Sequence, residues 1–86
     1  MRLMHKYPLP FSTLDVVRVT MPCAAVVRTV QMQAGMITLW AEHEAGMPHN
    51  EERRFAIVGT GVRFPERMTY VGTVQARDYV WHIYEQ

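Results

Sequence analysis

Residues 25–42 read AVVRTVQMQAGMITLWAE. β-Branched and apolar residues flank one glycine, which is the pattern of a β-hairpin. Over 25–33, Val26, Val30 and Met32 fall on one side with Arg28. Val27, Thr29, Gln31 and Gln33 fall on the other, the expected solvent side. Over 36–42, Ile37, Leu39 and Ala41 alternate with Thr38, Trp40 and Glu42. The link Gln33-Ala34-Gly35-Met36 suits a type I turn closed by a left-handed glycine, the three-residue hairpin with a G1 bulge.

The same texture extends in both directions. Further strands are expected over 4–8, 13–21, 53–59, 68–74 and 79–85. Pro8 cannot donate to a ladder, so the first is an edge strand or a strand end. In the second, Val17, Val19 and Met21 share a face with Asp15, Arg18 lies opposite, and Pro22 ends the run. Residues 43–52, HEAGMPHNEE, read as a polar loop, the class of segment in which function concentrates. Gly72 inside a strand predicts a bulge or a close backbone approach. In the last strand Tyr79, Trp81 and Ile83 alternate with Val80, His82 and Tyr84, so both faces need covering by the fold or by a partner.

No window carries a capped apolar stripe of helical period. About seven short antiparallel strands in one domain over residues 1–86 therefore predict an all-β fold. Closure as a small barrel or a compact two-layer β-sandwich protects the edges. A chain this short buries about 60–65% of the surface it exposes when unfolded, so its core is modest.

Composition excludes several functions. The net charge of +1 is too small for the basic stripe that nucleic acid demands, or for a polyanionic mimic of it. The single cysteine, Cys23, forms no internal disulfide or thiolate metal cage, and it fits a reducing cytoplasm. No apolar run reaches the roughly 20 residues of a membrane span. The N-terminus has Arg2 and Lys6, but Pro8 and Pro10 interrupt it before a signal-peptide core can form. A soluble protein is expected.

HKYPL, MP followed by AAVVRTVQMQAGMITLWAE, RRFAIVGTG, YVGTVQ and VWHIYE occur in this order over nearly the whole chain. Together they resemble a family of short bacteriophage and prophage proteins. Cys23-Ala24 stands where those proteins tend to have a glycine, and Tyr84 where they commonly have phenylalanine. The resemblance implies a phage-type accessory protein in the host cytoplasm or the virion. It carries over no activity, cofactor or catalytic residue.

The run Val58-Gly59-Thr60-Gly61 raises the question of phosphate binding. A dinucleotide fingerprint needs a third glycine and a helix beneath it, but Phe64 and Pro65 follow instead. No Gly-Lys-Ser/Thr is present for a P-loop. A tight turn with positive φ is the simpler reading. A backbone anion nest at Gly59, Thr60 and Gly61, assisted by Arg63 and by Arg53 or Arg54, is the functional one.

His43 and His49, with Glu42, Glu44, Glu51 and Glu52, match no metal-ligand spacing, so no metal and no cofactor are expected. His82 reads as a hydrogen-bonded structural residue rather than a base. Cys23 has no recognisable activating base, Ser12 is the only serine, and pairing of Asp15 with Glu66 or Asp78 has no support in the spacing.

The aromatic residues carry the strongest signal. Trp40 falls opposite Ile37 and Leu39, and Tyr79, Trp81 and Tyr84 crowd the last strand with Tyr70 nearby. Exposed Trp and Tyr anchor interfaces, and here they point to self-association and to contact with a host or phage protein. The expected function is a non-enzymatic module acting by protein contact. The alternative is a small-ligand or nucleotide binder at Gly59, Thr60, Gly61 and Arg63.

Overall fold

The computed structural model describes residues 1–11 and 16–86. Ser12, Asp15 and the beginning of the strand expected over 13–21 lie outside the described residues. Among the described residues seven strands run in chain order: β1 (Arg2–Leu9), β2 (Val17–Met21), β3 (Val26–Gln33), β4 (Met36–Glu44), β5 (Glu51–Gly59), β6 (Thr69–Ala76) and β7 (Tyr79–Glu85). They form two antiparallel sheets, β1-β4-β3 and β2-β5-β7-β6, which we call sheets A and B. The architecture is a two-layer sandwich and not a closed barrel.

Residues paired across neighbouring strands share a face. In sheet A, Tyr7, Leu9, Val30, Ile37, Leu39 and Ala41 line the inner face and are buried. In sheet B the inner face carries Val17, Val19, Met21, Phe55, Ile57 and Ile83, also buried. β1 is an edge strand, as Pro8 requires, and β7 lies between β5 and β6, as its two apolar faces require.

The hairpin of residues 25–42 forms with its expected partners, but its turn differs. Ala34 and Gly35 both take positive φ, 49° and 79°, and Gln33 pairs with Met36. This is the two-residue type I′ connection, whose twist matches that of the strands, and not a type I turn with a G1 bulge. The facing of β3 also differs. A bulge between Val27 and Thr29 shifts the register, so Val27 pairs with Ala41 and joins Val30 and Met32 on the core side. Val26 then faces outward with Arg28, which reaches Glu42.

β4 and β5 extend further than the sequence pattern indicates. His43 and Glu44 belong to β4, and Glu51 and Glu52 belong to β5, so the polar connection is only 45–50. Polar side chains hide these strand ends from an alternation test, because backbone pairing with β1 and β2 sustains them instead.

Candidate functional site

At one end of the sandwich the register of β1 against β4 brings His5 and His43 onto the inner face, where Leu3 pairs with His43 and His5 with Ala41. The connection 45–50 returns His49 to the same place. The ring centroids of His5, His43 and His49 form a near-equilateral triangle with sides of 6.0, 5.5 and 5.5 Å. One ring nitrogen from each lies within 4.8 Å of the others.

His43 is buried, whereas His5 and His49 are exposed. The Nδ1 atom of His43 lies 3.1 Å from the Glu44 carbonyl oxygen. A carbonyl only accepts, so Nδ1 carries the proton and Nε2 presents its lone pair. That lone pair faces the Tyr7 hydroxyl at 3.1 Å, and the same hydroxyl lies 3.0 Å from His49 Nε2. Tyr7 is buried, and burial pushes its phenol pKa upward, which keeps the proton on oxygen. A phenol donates one proton, so it donates to His43 Nε2 and accepts from His49 Nε2–H.

Sequence reasoning placed His43 and His49 together with four glutamates. The structure assembles them with His5 and Tyr7 instead. The side chains of Glu42 and Glu44 are taken up by Arg2, Arg28 and the N-terminal amine. His5 was missed because nothing local marks it: only the register of β1 on β4 reveals its neighbour.

The Gly59-Thr60-Gly61 run is a reversing turn. Val62 N–H donates to the Gly59 carbonyl, and Gly61 takes φ +80°. Gly59 also lies under Trp81, where an added Cβ would stand 3.3 Å from the indole. The Thr60 hydroxyl is bonded to His82 Nε2 at 2.9 Å, and His82 Nδ1 to the Thr73 hydroxyl at 3.0 Å. Tyr70 OH in turn meets Thr73. His82 therefore ties the turn to β6 across the outer face of sheet B, and its side-chain partners among the described residues are two hydroxyl groups.

After this turn the chain runs back over the outer face. Phe64 packs on Tyr84 at 4.5 Å and Tyr70 meets Tyr84 edge-on at 5.5 Å. Val58, which points outward from the sheet, is buried by this connection. Two hollows result. One of about 530 Å³ along β5 is lined by Ala56, Val58, Val62, Arg63, Phe64 and Met68 among others. A smaller one of about 160 Å³ lies against Thr60, Gly61, Phe64, His82 and Tyr84. Arg63 borders the larger hollow, whereas Thr60 and Gly61 border the smaller one.

Of the expected interface aromatics, Tyr79 is exposed and stacks on half-buried Trp81, with Phe11 edge-on to that indole at 4.8 Å. Tyr84 is half-buried beneath Phe64. Trp40 is also half-buried, on the outer face of sheet A between Lys6 and Thr29. Cys23 is exposed, and a hydrogen bond to Glu51 pushes its thiol pKa upward, away from the thiolate a nucleophile needs.

Compared with known proteins, the chain matches a domain of unknown function (DUF7352) over residues 1–86 and belongs to that family. No curated protein and no solved structure matches.

Proposed function

We propose that this member of the DUF7352 family acts by protein–protein contact, without catalytic chemistry of its own, and that its first partner is a second copy of the chain. The carrying observation is the outer face of sheet B. Val62, Phe64 and Tyr70 are 58%, 42% and 56% exposed there beside Tyr84, next to an apolar hollow of about 530 Å³. Aromatic side chains concentrated at such a hollow have the character of interface anchors. Arg63, Glu66 and Arg67 of the same connection supply both charge signs, and a self-complementary contact about a two-fold axis needs both. The absence of chemistry is supported by the engagement of His82 with two threonines and of Cys23 with Glu51.

The phage-type accessory role rests on the resemblance of the sequence segments. In that setting the module binds a host component in the cytoplasm or takes a minor place in the particle. Sedimentation velocity over a range of concentrations tests the contact reading. Self-association that Phe64→Ser and Tyr70→Ser together reduce supports it. A chain that stays monomeric at every concentration removes the second copy as partner.

The small-ligand reading has two observations in its favour: Gly59 and Arg63 border the hollow of about 530 Å³, and Gly59, Thr60 and Gly61 border the one of about 160 Å³. The second falls below the roughly 300 Å³ at which ligand pockets begin, whereas the first does not. Thermal shift with a nucleotide panel tests it, using Arg63→Ala as the variant because Gly61 takes φ +80° and tolerates no side chain without strain.

A further inference from the structure

We propose that His5, His43 and His49 form a binding site for one divalent transition-metal ion of the zinc class, with the Tyr7 hydroxyl bordering the fourth coordination position.

Geometry carries the assignment. Zinc binds imidazole nitrogen at about 2.0–2.1 Å in a tetrahedron, which places the centroids of its imidazole rings about 5.2 Å apart. The three centroids here stand 6.0, 5.5 and 5.5 Å apart. Their planes are inclined to one another by 40°, 64° and 85°, so no ring stacks on another. Donor atoms around one tetrahedral zinc are separated by about 3.3 Å. The ring nitrogens lie within 4.8 Å of one another, so binding an ion draws them closer to that spacing. The Tyr7 oxygen lies 3.1 and 3.0 Å from Nε2 of His43 and His49, so an ion bound by these atoms replaces those two hydrogen bonds and moves the His49 proton to Nδ1.

The surroundings agree. His43 is held by its Nδ1–H bond to the Glu44 carbonyl, the outer-shell arrangement that fixes the tautomer and aims the other nitrogen at a metal. The donor set is nitrogen with one phenol oxygen, without thiolate or carboxylate. That set suits zinc and its neighbours rather than magnesium or calcium. The ligands come from β1, from β4 and from the connection 45–50. An ion there fastens that connection over the open end of the sandwich and stabilises the folded state by mass action.

The test uses the whole chain without a polyhistidine tag, in a Cys23→Ser background so that the exposed thiol contributes nothing. Zn²⁺ is titrated calorimetrically, and Co²⁺ is followed by its visible ligand-field band. One equivalent of Zn²⁺ is expected, with a rise in melting temperature and a four-coordinate cobalt spectrum. His5→Gln and His49→Gln sit at exposed positions, so they leave the fold intact by circular dichroism. Each is expected to weaken Zn²⁺ at least about tenfold, since even outer partners of metal ligands act on that scale. The proposal is overturned by the absence of saturable Zn²⁺ binding, or by binding that both substitutions leave unchanged.

Discussion

Gly72 of β6 faces Val30 of β3 so closely that a Cβ on the glycine would lie 2.5 Å from Val30 Cγ1. The two residues belong to different sheets, and both strands carry a bulge nearby, between Tyr70 and Gly72 and between Val27 and Thr29. The bulges bend the strands toward one another, and the missing side chain lets them meet. Gly72→Ala forces a methyl group into a filled space, for which the usual cost is about 1–3 kcal/mol. Val30→Ala removes the obstructing atom and also loses buried volume. A double-mutant cycle by urea denaturation is expected to show Gly72→Ala as markedly less costly in the Val30→Ala background. Equal costs in both backgrounds would contradict a direct clash.

Ala24 and Ala34 hold left-handed backbone at φ 65° and 49°, where a Cβ is strained. Ala24 is the third residue of a turn closed by Ala25 N–H on the Pro22 carbonyl, and Ala34 opens the type I′ turn. The left-handed region costs a side-chain-bearing residue roughly 1–2 kcal/mol, partly offset because glycine leaves the unfolded chain freer. Ala24→Gly and Ala34→Gly are each expected to raise stability by up to about 1 kcal/mol, read from denaturant midpoints. The φ of Ala24 gives this first turn a physical preference for glycine.

The parts of this fold that were legible in the sequence are those fixed by alternation within a strand. Ile37, Leu39 and Ala41 face the core as their spacing requires, and so do Val17, Val19 and Met21. Gly72 marks a bulge and a close approach, and the Gly59-Thr60-Gly61 run is a turn. What was not legible depends on pairing between strands. The bulge at Arg28 turns Val27 inward and Val26 outward, and no residue type there announces it. His5 meets His43 only through the register of β1 on β4. Metal-ligand spacings are recognisable when one turn or helix supplies the donors, whereas here two strands and a connection supply them. Carrying β4 two residues past Glu42 would have put His43 on the same face as Ala41.

Arg53 is bound at two points to Glu85, Nε to Oε2 at 2.7 Å and one terminal nitrogen to Oε1 at 2.8 Å. Its other terminal nitrogen donates to the Ala25 carbonyl at the entry to β3. One side chain thus links β5 to β7 and sheet B to sheet A. The side chains are only 17% and 23% exposed, so solvent competes weakly with a fork-to-fork pair. Glu85→Gln keeps the shape but discards the charge, and the loss expected of charge-assisted hydrogen bonds is about 1.5–3 kcal/mol. Arg53→Lys is expected to lose a similar amount, because an ammonium group cannot serve two carboxylate oxygens and a carbonyl in that geometry. Urea unfolding of both variants checks this, and a loss within the range of ordinary surface substitutions for both would refute it.

Glu42 sits on the outer face of β4, the central strand of sheet A, between Arg28 on one neighbouring strand and Arg2 on the other. Hydrogen bonds from Arg28 first and then Arg2 hold its carboxyl pKa below the ordinary glutamate range. A carboxyl whose pKa is lower in the folded chain than in the unfolded one stabilises the fold above its unfolded pKa. That contribution disappears as pH falls through the folded value. Melting temperature is therefore expected to fall on acidification below about pH 5 with a slope that Glu42→Gln makes shallower, since the amide takes up no proton. Arg28→Gln removes the nearer partner and is expected to reduce the slope as well, with a smaller effect from Arg2→Gln. Added salt weakens these exposed pairs, so the difference between wild type and Glu42→Gln at neutral pH shrinks as ionic strength rises. A slope identical in wild type and Glu42→Gln would show that another carboxylate governs the acid limb.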